Sequence, residues 1–228
     1  MLTVSLLGLT FVGSHFLMSL AEVRGPLVQR LGESGFLGVY SLVSAVLLVL
    51  MVLAYGEADR SIYWWYPEPM HASIAIGVMW FATVFIAGSF MAPNPSSVGM
   101  GDKAKEGPQG MLRVTRHPLL WGIGLWAFAH VLANGDVSSV MFFLSFGVLA
   151  VVGALVLDRK KASQLGSDWT SFMTQTSLVP FAAILGGRTQ FAARELVGPL
   201  LVGSLVYAGL YWAHEWLSGV DLPIPWGA

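Results

Sequence analysis

The sequence contains no cysteine, and this absence excludes several classes of protein at once. It rules out disulfide frameworks, thiolate metal sites, cysteine-held iron–sulfur clusters, covalently attached c-type haem and cysteine nucleophiles. Charge is also scarce, because 11% of the 228 residues are charged against about 25% in a typical soluble domain. The formal net charge is −1, so no excess of positive charge attracts nucleic acid, and we expect no nucleic-acid partner.

The sequence contains long apolar runs, and 55% of its residues are hydrophobic. A spanning helix needs about 20 mostly apolar residues, within a range of about 17–25. Six runs fit this requirement: Leu2–Leu20, Gly35–Tyr55, Met70–Ala92, Pro118–Asn134, Val137–Leu157 and Leu196–Ala213. The runs are continuous rather than alternating, which favours helices over barrel strands. We predict an all-α, polytopic bundle of about six transmembrane helices, forming one domain over residues 1–228 within the lipid bilayer.

The placement of the 12 lysine and arginine residues predicts the topology. All of them except Arg60 follow the first, third or fifth apolar run. Positively charged residues remain on the cytoplasmic side of a membrane, so both termini are expected on the non-cytoplasmic side. No basic residue precedes the first run, which therefore reads as a retained helix rather than a signal peptide.

Two connections on the predicted cytoplasmic side are long. The segment Pro93–Arg116 is rich in glycine, proline, serine and charge, a composition that predicts a mobile loop. In Asp158–Glu195, four apolar residues share one helical face at spacings of i, i+4, i+7 and i+8. They are Leu165, Trp169, Phe172 and Met173. This pattern predicts an interfacial amphipathic helix, and the alternative is a solvated linker.

The five histidines are the first candidates for chemistry. His15 and His130 lie inside apolar runs, whereas His71, His117 and His214 lie near the ends of runs. Helix bundles commonly bind haem through imidazole nitrogens, which need no buried charge. The alternative is that His15 and His130 make hydrogen bonds between helices that serve packing alone.

The segment Thr115–Trp121 contains the densest polar cluster next to an apolar run. Pro118 suits the first position of a helix, so Arg116 and His117 would lie at the cytoplasmic membrane surface. They could contact an anion or cofactor near the helix N-terminus. Equally, they could be charged side chains that extend from a helix end toward water.

Three stretches resemble the NnrU domain family of membrane proteins. The first comprises Ser14–Arg24, Arg30–Glu33 and Ser41–Leu42, and the second is Met111–Asp136, with Thr115–Pro118 and Ala129–His130 inside it. The third comprises Thr176–Ile184 and Gly187–Arg188. The family includes the plant isomerase of 15-cis-ζ-carotene, and the same stretches are similar to that enzyme.

The resemblance implies a membrane protein that binds haem b and, in the isomerase, changes the configuration of one polyene double bond. It implies His15 and His130 as metal ligands, with His71, His117 and His214 as further family histidines. We also expect Arg116 and His117 to contact the cofactor. The chain lacks the N-terminal extension of the plant enzyme, so we expect a multi-pass protein of a bacterial inner membrane.

The depths of His15 and His130 conflict with direct pairing. At ~1.5 Å per residue their depths differ by roughly 10 Å. Two axial nitrogens must lie within about 4–5 Å of each other, since each metal–nitrogen bond is ~2 Å. Pairs at matched depth are His15 with His117, or two of His71, His130 and His214. We retain His15 and His130 as the expected pair.

Three functions are open at this point. One is a haem-dependent cis–trans isomerase of a conjugated polyene. The second is a non-catalytic accessory factor in nitrite and nitric oxide metabolism, which other bacterial family members suggest by name. The third is a membrane methyltransferase, because Arg116–Pro118, Gly166, Trp169, Phe172 and Pro180 are faintly similar to isoprenylcysteine carboxyl methyltransferases. The sequence Asp158–Lys161 stands where that group has an acidic pair, which disfavours the third reading.

Overall fold

A computed structural model describes residues 1–222, and this part of the chain is helical, as predicted. The helices are α1 Leu2–Leu17, α2 Ala21–Gly56, α3 Pro69–Phe90, α4 Met111–Val114, α5 Pro118–Asn134, α6 Val137–Leu165, α7 Ser167–Gln175, α8 Ala182–Leu185 and α9 Ala193–Ser218. A 3₁₀ helix spans Gly101–Glu106. Within the described residues, Tyr63 and Asp136 form an isolated antiparallel β-bridge.

The six predicted apolar runs correspond to α1, α2, α3, α5, α6 and α9. Within the described residues, α2, α3, α6 and α9 are long and apolar enough to cross a membrane. The other two, α1 and α5, are apolar but have 16 and 17 residues. At ~1.5 Å per residue these two are somewhat shorter than the ~30 Å hydrocarbon core. The helical membrane bundle is thus confirmed, with four full-length spans and two shorter apolar helices.

The second helix starts earlier than predicted, at Ala21 instead of Gly35. Gly32 has φ 71° and ψ 168°, which interrupts the helical backbone inside α2. Glycine tolerates this conformation because it has no Cβ. Residues 33–56 therefore contain the predicted span, and residues 21–31 form a separate segment that carries Arg24 and Arg30.

The membrane helices pack in the spatial order α2, α1, α6, α5, α3, α9. Glycines allow the closest approaches in this arrangement. A Cβ on Gly122 of α5 would lie 2.9 Å from the Ala82 carbonyl oxygen of α3, and one on Gly203 of α9 would lie 2.5 Å from Val84 Cα. Small residues that let backbones approach are the usual means of packing helices in lipid.

The segment Pro93–Arg116 is not the mobile loop that its composition predicted. It contains the 3₁₀ helix and α4, and its residues Ala104 and Leu112 are buried against Trp169 and Phe172 of α7. We call residues 93–116 and 166–188 together the cytoplasmic cap. Apolar burial fixes the segment, because its few large side chains enter a small core that composition alone does not reveal.

The predicted amphipathic helix is present as α7, which begins at Ser167, so Leu165 lies at the end of α6, before the break at Gly166. The apolar face of α7 packs against protein instead of the membrane interface that the pattern predicted. Trp169 and Phe172 are fully buried in the cytoplasmic cap, and Leu165 and Met173 pack beside them. This face is covered by protein, which places α7 against the end of the bundle.

The absence of native cysteine permits a direct test of the topology by single-cysteine labelling. Ser61 and Ser163 are both exposed and lie at opposite ends of the bundle. In intact cells, a membrane-impermeant maleimide should label Ser61→Cys, whereas Ser163→Cys should react only after permeabilisation. Labelling in the opposite order would contradict a topology with both termini outside the cytoplasm.

Candidate functional site

Arg116, His117 and Asp158 form a buried ionic network at the predicted cytoplasmic end of the bundle. Arg116 donates to the carboxylate twice, from Nε to Oδ1 at 2.9 Å and from Nη2 to Oδ2 at 2.6 Å. His117 Nε2 lies 2.8 Å from Asp158 Oδ1. Arg116 is 5% exposed and His117 is 2% exposed. We call these three residues the Arg116–Asp158 network.

The helices bring these residues together from separate parts of the sequence. His117 is the N-cap of α5, and Arg116 directly precedes it. Asp158 lies near the C-terminal end of α6. Arg116 Nη1 also donates to Thr176 Oγ1 at 3.1 Å. The network therefore ties α5, α6 and the segment after α7 to one another.

Every guanidinium nitrogen of Arg116 has a protein partner. The side chain is 5% exposed and therefore does not extend toward water, and three of its five N–H donors bind other residues of the protein. Because a carboxylate only accepts hydrogen bonds, His117 Nε2 carries the proton and does not offer a lone pair to a metal. A role for Arg116 and His117 as cofactor contacts remains a prediction, and the contacts seen are with Asp158.

Asp158 is the site residue that sequence reasoning missed, since it was weighed there only as a departure from a methyltransferase pattern. One signal was present in the sequence. Asp158 directly follows the apolar run of α6, and Arg116 and His117 directly precede that of α5. Antiparallel neighbouring helices bring such positions to the same end of a bundle.

His15 and His130 share a hydrogen-bonding pattern that suits metal ligation. Nδ1 of each ring lies 2.8 Å from the backbone carbonyl oxygen four residues earlier, Phe11 for His15 and Trp126 for His130. A carbonyl only accepts, so Nδ1 carries the proton and the lone pair of the neutral ring is on Nε2. In His15 this nitrogen lies 3.5 Å from the Ser44 hydroxyl oxygen. Ligating histidines are commonly oriented by such a carbonyl.

The same criterion separates the other histidines. Nδ1 of His214 lies 2.9 Å from the Val220 carbonyl oxygen, which again leaves the lone pair on Nε2. His71 differs, because its Nδ1 accepts a hydrogen bond from the Glu68 backbone N–H at 2.8 Å in a capping box. The proton of neutral His71 is therefore on Nε2, and its local role is to cap α3.

The structure does not place the rings of His15 and His130 in contact. They are joined through a series of ring contacts, with His15 against Phe11, Phe11 against Phe146, Phe146 against Trp126, and Trp126 against His130. We call the side chains Phe11, Trp126, Phe142, Phe143 and Phe146 the aromatic cluster.

The donor chemistry of His15, His130 and His214 fits a haem, since each neutral ring offers Nε2. Among the described residues, no group of three or more histidine, cysteine or carboxylate side chains could hold a metal ion.

Comparisons with known proteins identify relatives of this chain. A family model described as NnrU protein matches residues 3–222. The chain is 29% identical over 236 residues to the chloroplastic 15-cis-zeta-carotene isomerase of Arabidopsis thaliana, covering 98% of this chain and 63% of that one. It is 31% identical over 160 residues to the enzyme of the same name from Zea mays, covering 65% and 43%. The chain thus spans less than two thirds of the length of these relatives, and no solved structure matches it.

Neutralising Asp158 tests how much the Arg116–Asp158 network contributes to the free energy of unfolding. Asp158→Asn leaves a buried guanidinium without its counter-charge, and we expect a loss of about 3 kcal/mol in unfolding free energy. The matched control is Asp168→Asn, which removes the exposed pair with Lys105 at 3.5 Å and should cost under about 1 kcal/mol. Unfolding of the detergent-solubilised protein measures both, and equal small losses would contradict the expectation.

Proposed function

Since the chain belongs to the NnrU family, we propose that it is a membrane-embedded cis–trans isomerase of a conjugated polyene. The substrate is a carotenoid-like hydrocarbon, and the cofactor is haem b. The observation that carries the proposal is the similarity to the Arabidopsis isomerase, which extends over 98% of this chain. The predominantly apolar helix bundle supports it, because a polyene hydrocarbon partitions into such surroundings.

We propose that His130 ligates the haem, together with His15 or His214. In the neutral form of each ring, the backbone contact of Nδ1 leaves the lone pair on Nε2, which is the form that binds iron. Haem iron in such a site would supply a Lewis acid or an electron donor for the double bond. The protein would orient the polyene and tune the iron.

The remaining contributions come from the protein's own groups. The Phe11 and Trp126 carbonyl oxygens hold the Nδ1 protons of His15 and His130, which orients the rings and raises their basicity. Two members of the aromatic cluster contact His130, whose ring stacks on Phe143 at 4.5 Å and lies 5.1 Å from that of Trp126. Packed aromatic rings exclude water and lower the local dielectric, which strengthens the influence of nearby charges on the iron.

The other functions predicted from the sequence receive no specific support from the described contacts. A role in nitrite or nitric oxide metabolism stays a prediction. A methyltransferase would use Arg116 and His117 for its cofactor, and both side chains are held by Asp158. A bacterial inner-membrane location also stays a prediction, since the two relatives are chloroplastic by name.

An absorption spectrum of the purified protein, oxidised and then reduced with dithionite, tests haem binding. We expect a Soret band and, after reduction, sharp α and β bands of the b type. His130→Ala should lose nearly all of this absorption, because it removes a ligand. His71→Ala is the matched control and should keep it, because His71 already uses Nδ1 as an acceptor. Haem retained at the native ratio by His130→Ala would contradict the ligand role.

The activity is measured by incubating the reduced protein with 15-cis-ζ-carotene and separating the isomers by chromatography. Conversion that requires reduction and is lost in His130→Ala would support the proposal. A protein that holds haem but leaves the isomer ratio unchanged would contradict the isomerase function and favour the accessory role.

A further inference from the structure

An apolar groove runs between α5 and α6 and encloses about 500 Å³, a size typical of small-ligand sites. Gly124, Phe128 and Val131 of α5 line it. These residues lie on a different face of α5 from Trp126 and His130, which contact the aromatic cluster. The groove is therefore separate from the candidate haem ligands.

The lining of the groove offers no free polar group. The indole N–H of Trp121 is already donated to the Leu178 carbonyl oxygen at 2.7 Å. Gly124, Gly147 and Ala150 keep the groove open by the small size of their side chains. An occupant that carried a charge or hydrogen-bonding group here would leave it unpaired, at considerable cost.

The predicted cytoplasmic end of the groove is closed by residues 177–179, which we call the strap. Leu178 and Val179 line the groove from this end. The strap is tied to the start of α5, because Arg116 N donates to the Ser177 carbonyl oxygen at 2.8 Å and Thr115 Oγ1 donates to that of Leu178 at 2.8 Å. Behind the strap, Arg116, His117 and Asp158 pair with one another, and none of the residues that line the groove is charged.

The groove is open sideways, toward the lipid. Phe128 is 53% exposed and Val151 is 65% exposed along its length. From Leu120 to Val131 it follows 12 residues of α5, a rise of ~16 Å over the steps between them at ~1.5 Å per residue. This is about half of the ~30 Å hydrocarbon core, so the groove matches the depth of one leaflet.

We infer that this groove binds a linear hydrocarbon that has no polar headgroup, with one end of the chain against the strap. That the hydrocarbon is a polyene rests on the proposed function. The absence of a free polar group separates this occupant from a phospholipid, whose headgroup would have to lie beside Leu178 and Val179. The site thereby holds the hydrocarbon apart from the histidines.

Two neighbouring valines of α6 give a matched test. Val151 lines the groove, whereas Val152 is 39% exposed and lies outside it. Purified Val151→Trp, Val152→Trp and native protein are incubated with ζ-carotene in detergent and washed on an affinity resin. The retained pigment is then extracted and quantified, with and without excess phosphatidylcholine. We expect Val151→Trp to retain about tenfold less pigment because the indole fills the groove, while Val152→Trp retains the native amount.

Equal retention by the two variants, no retention by the native protein, or displacement by phosphatidylcholine would overturn the inference. Isomerase activity is recorded on the same samples to keep the two proposals distinguishable. Native protein that retains pigment through Val151 without isomerising it would overturn the proposed function and leave the groove assignment standing. Native protein that isomerises ζ-carotene, with both variants retaining pigment equally, would overturn the groove assignment alone.

Discussion

The carboxylate of Asp158, shared between Arg116 and His117, is the interaction on which the predicted cytoplasmic end of the bundle depends. A charged group buried at the end of a membrane bundle is costly unless its partners are fixed in place. The bidentate contact of Arg116 and the contact of His117 satisfy this requirement. Once these contacts are made, the ends of α5 and α6 cannot separate without exposing an unpaired charge.

Other parts of the structure follow from that constraint. Arg116 also reaches Thr176, and its backbone N–H bonds Ser177, so the strap is held against the start of α5. The strap closes one end of the apolar groove. The cytoplasmic cap adds its own small core around Trp169 and Phe172. A polar network at the membrane boundary thus shapes an apolar space within the membrane.

The histidines show how backbone hydrogen bonds assign different chemistry to one residue type. A helical carbonyl four residues earlier fixes Nδ1–H in His15 and His130, and leaves Nε2 as a base. A backbone N–H fixes the opposite tautomer in His71, and a carboxylate fixes Nε2–H in His117. Three of the five histidines, His15, His130 and His214, therefore remain able to ligate iron, and none of them needs a neighbouring charge to do so.

Composition and periodicity by themselves determined the all-helical membrane class, the positions of the six apolar helices and the existence of α7. These features are local, because each depends on a run of apolar residues or a repeat of 3.6 residues. Only the tertiary structure decided that Pro93–Arg116 folds into a packed cap, since its core residues are supplied by α7. It also decided that Asp158 pairs with Arg116, a contact between residues 42 positions apart. The groove and the tautomer of His117 are likewise invisible in the sequence, because they depend on which atoms the packed helices bring within reach.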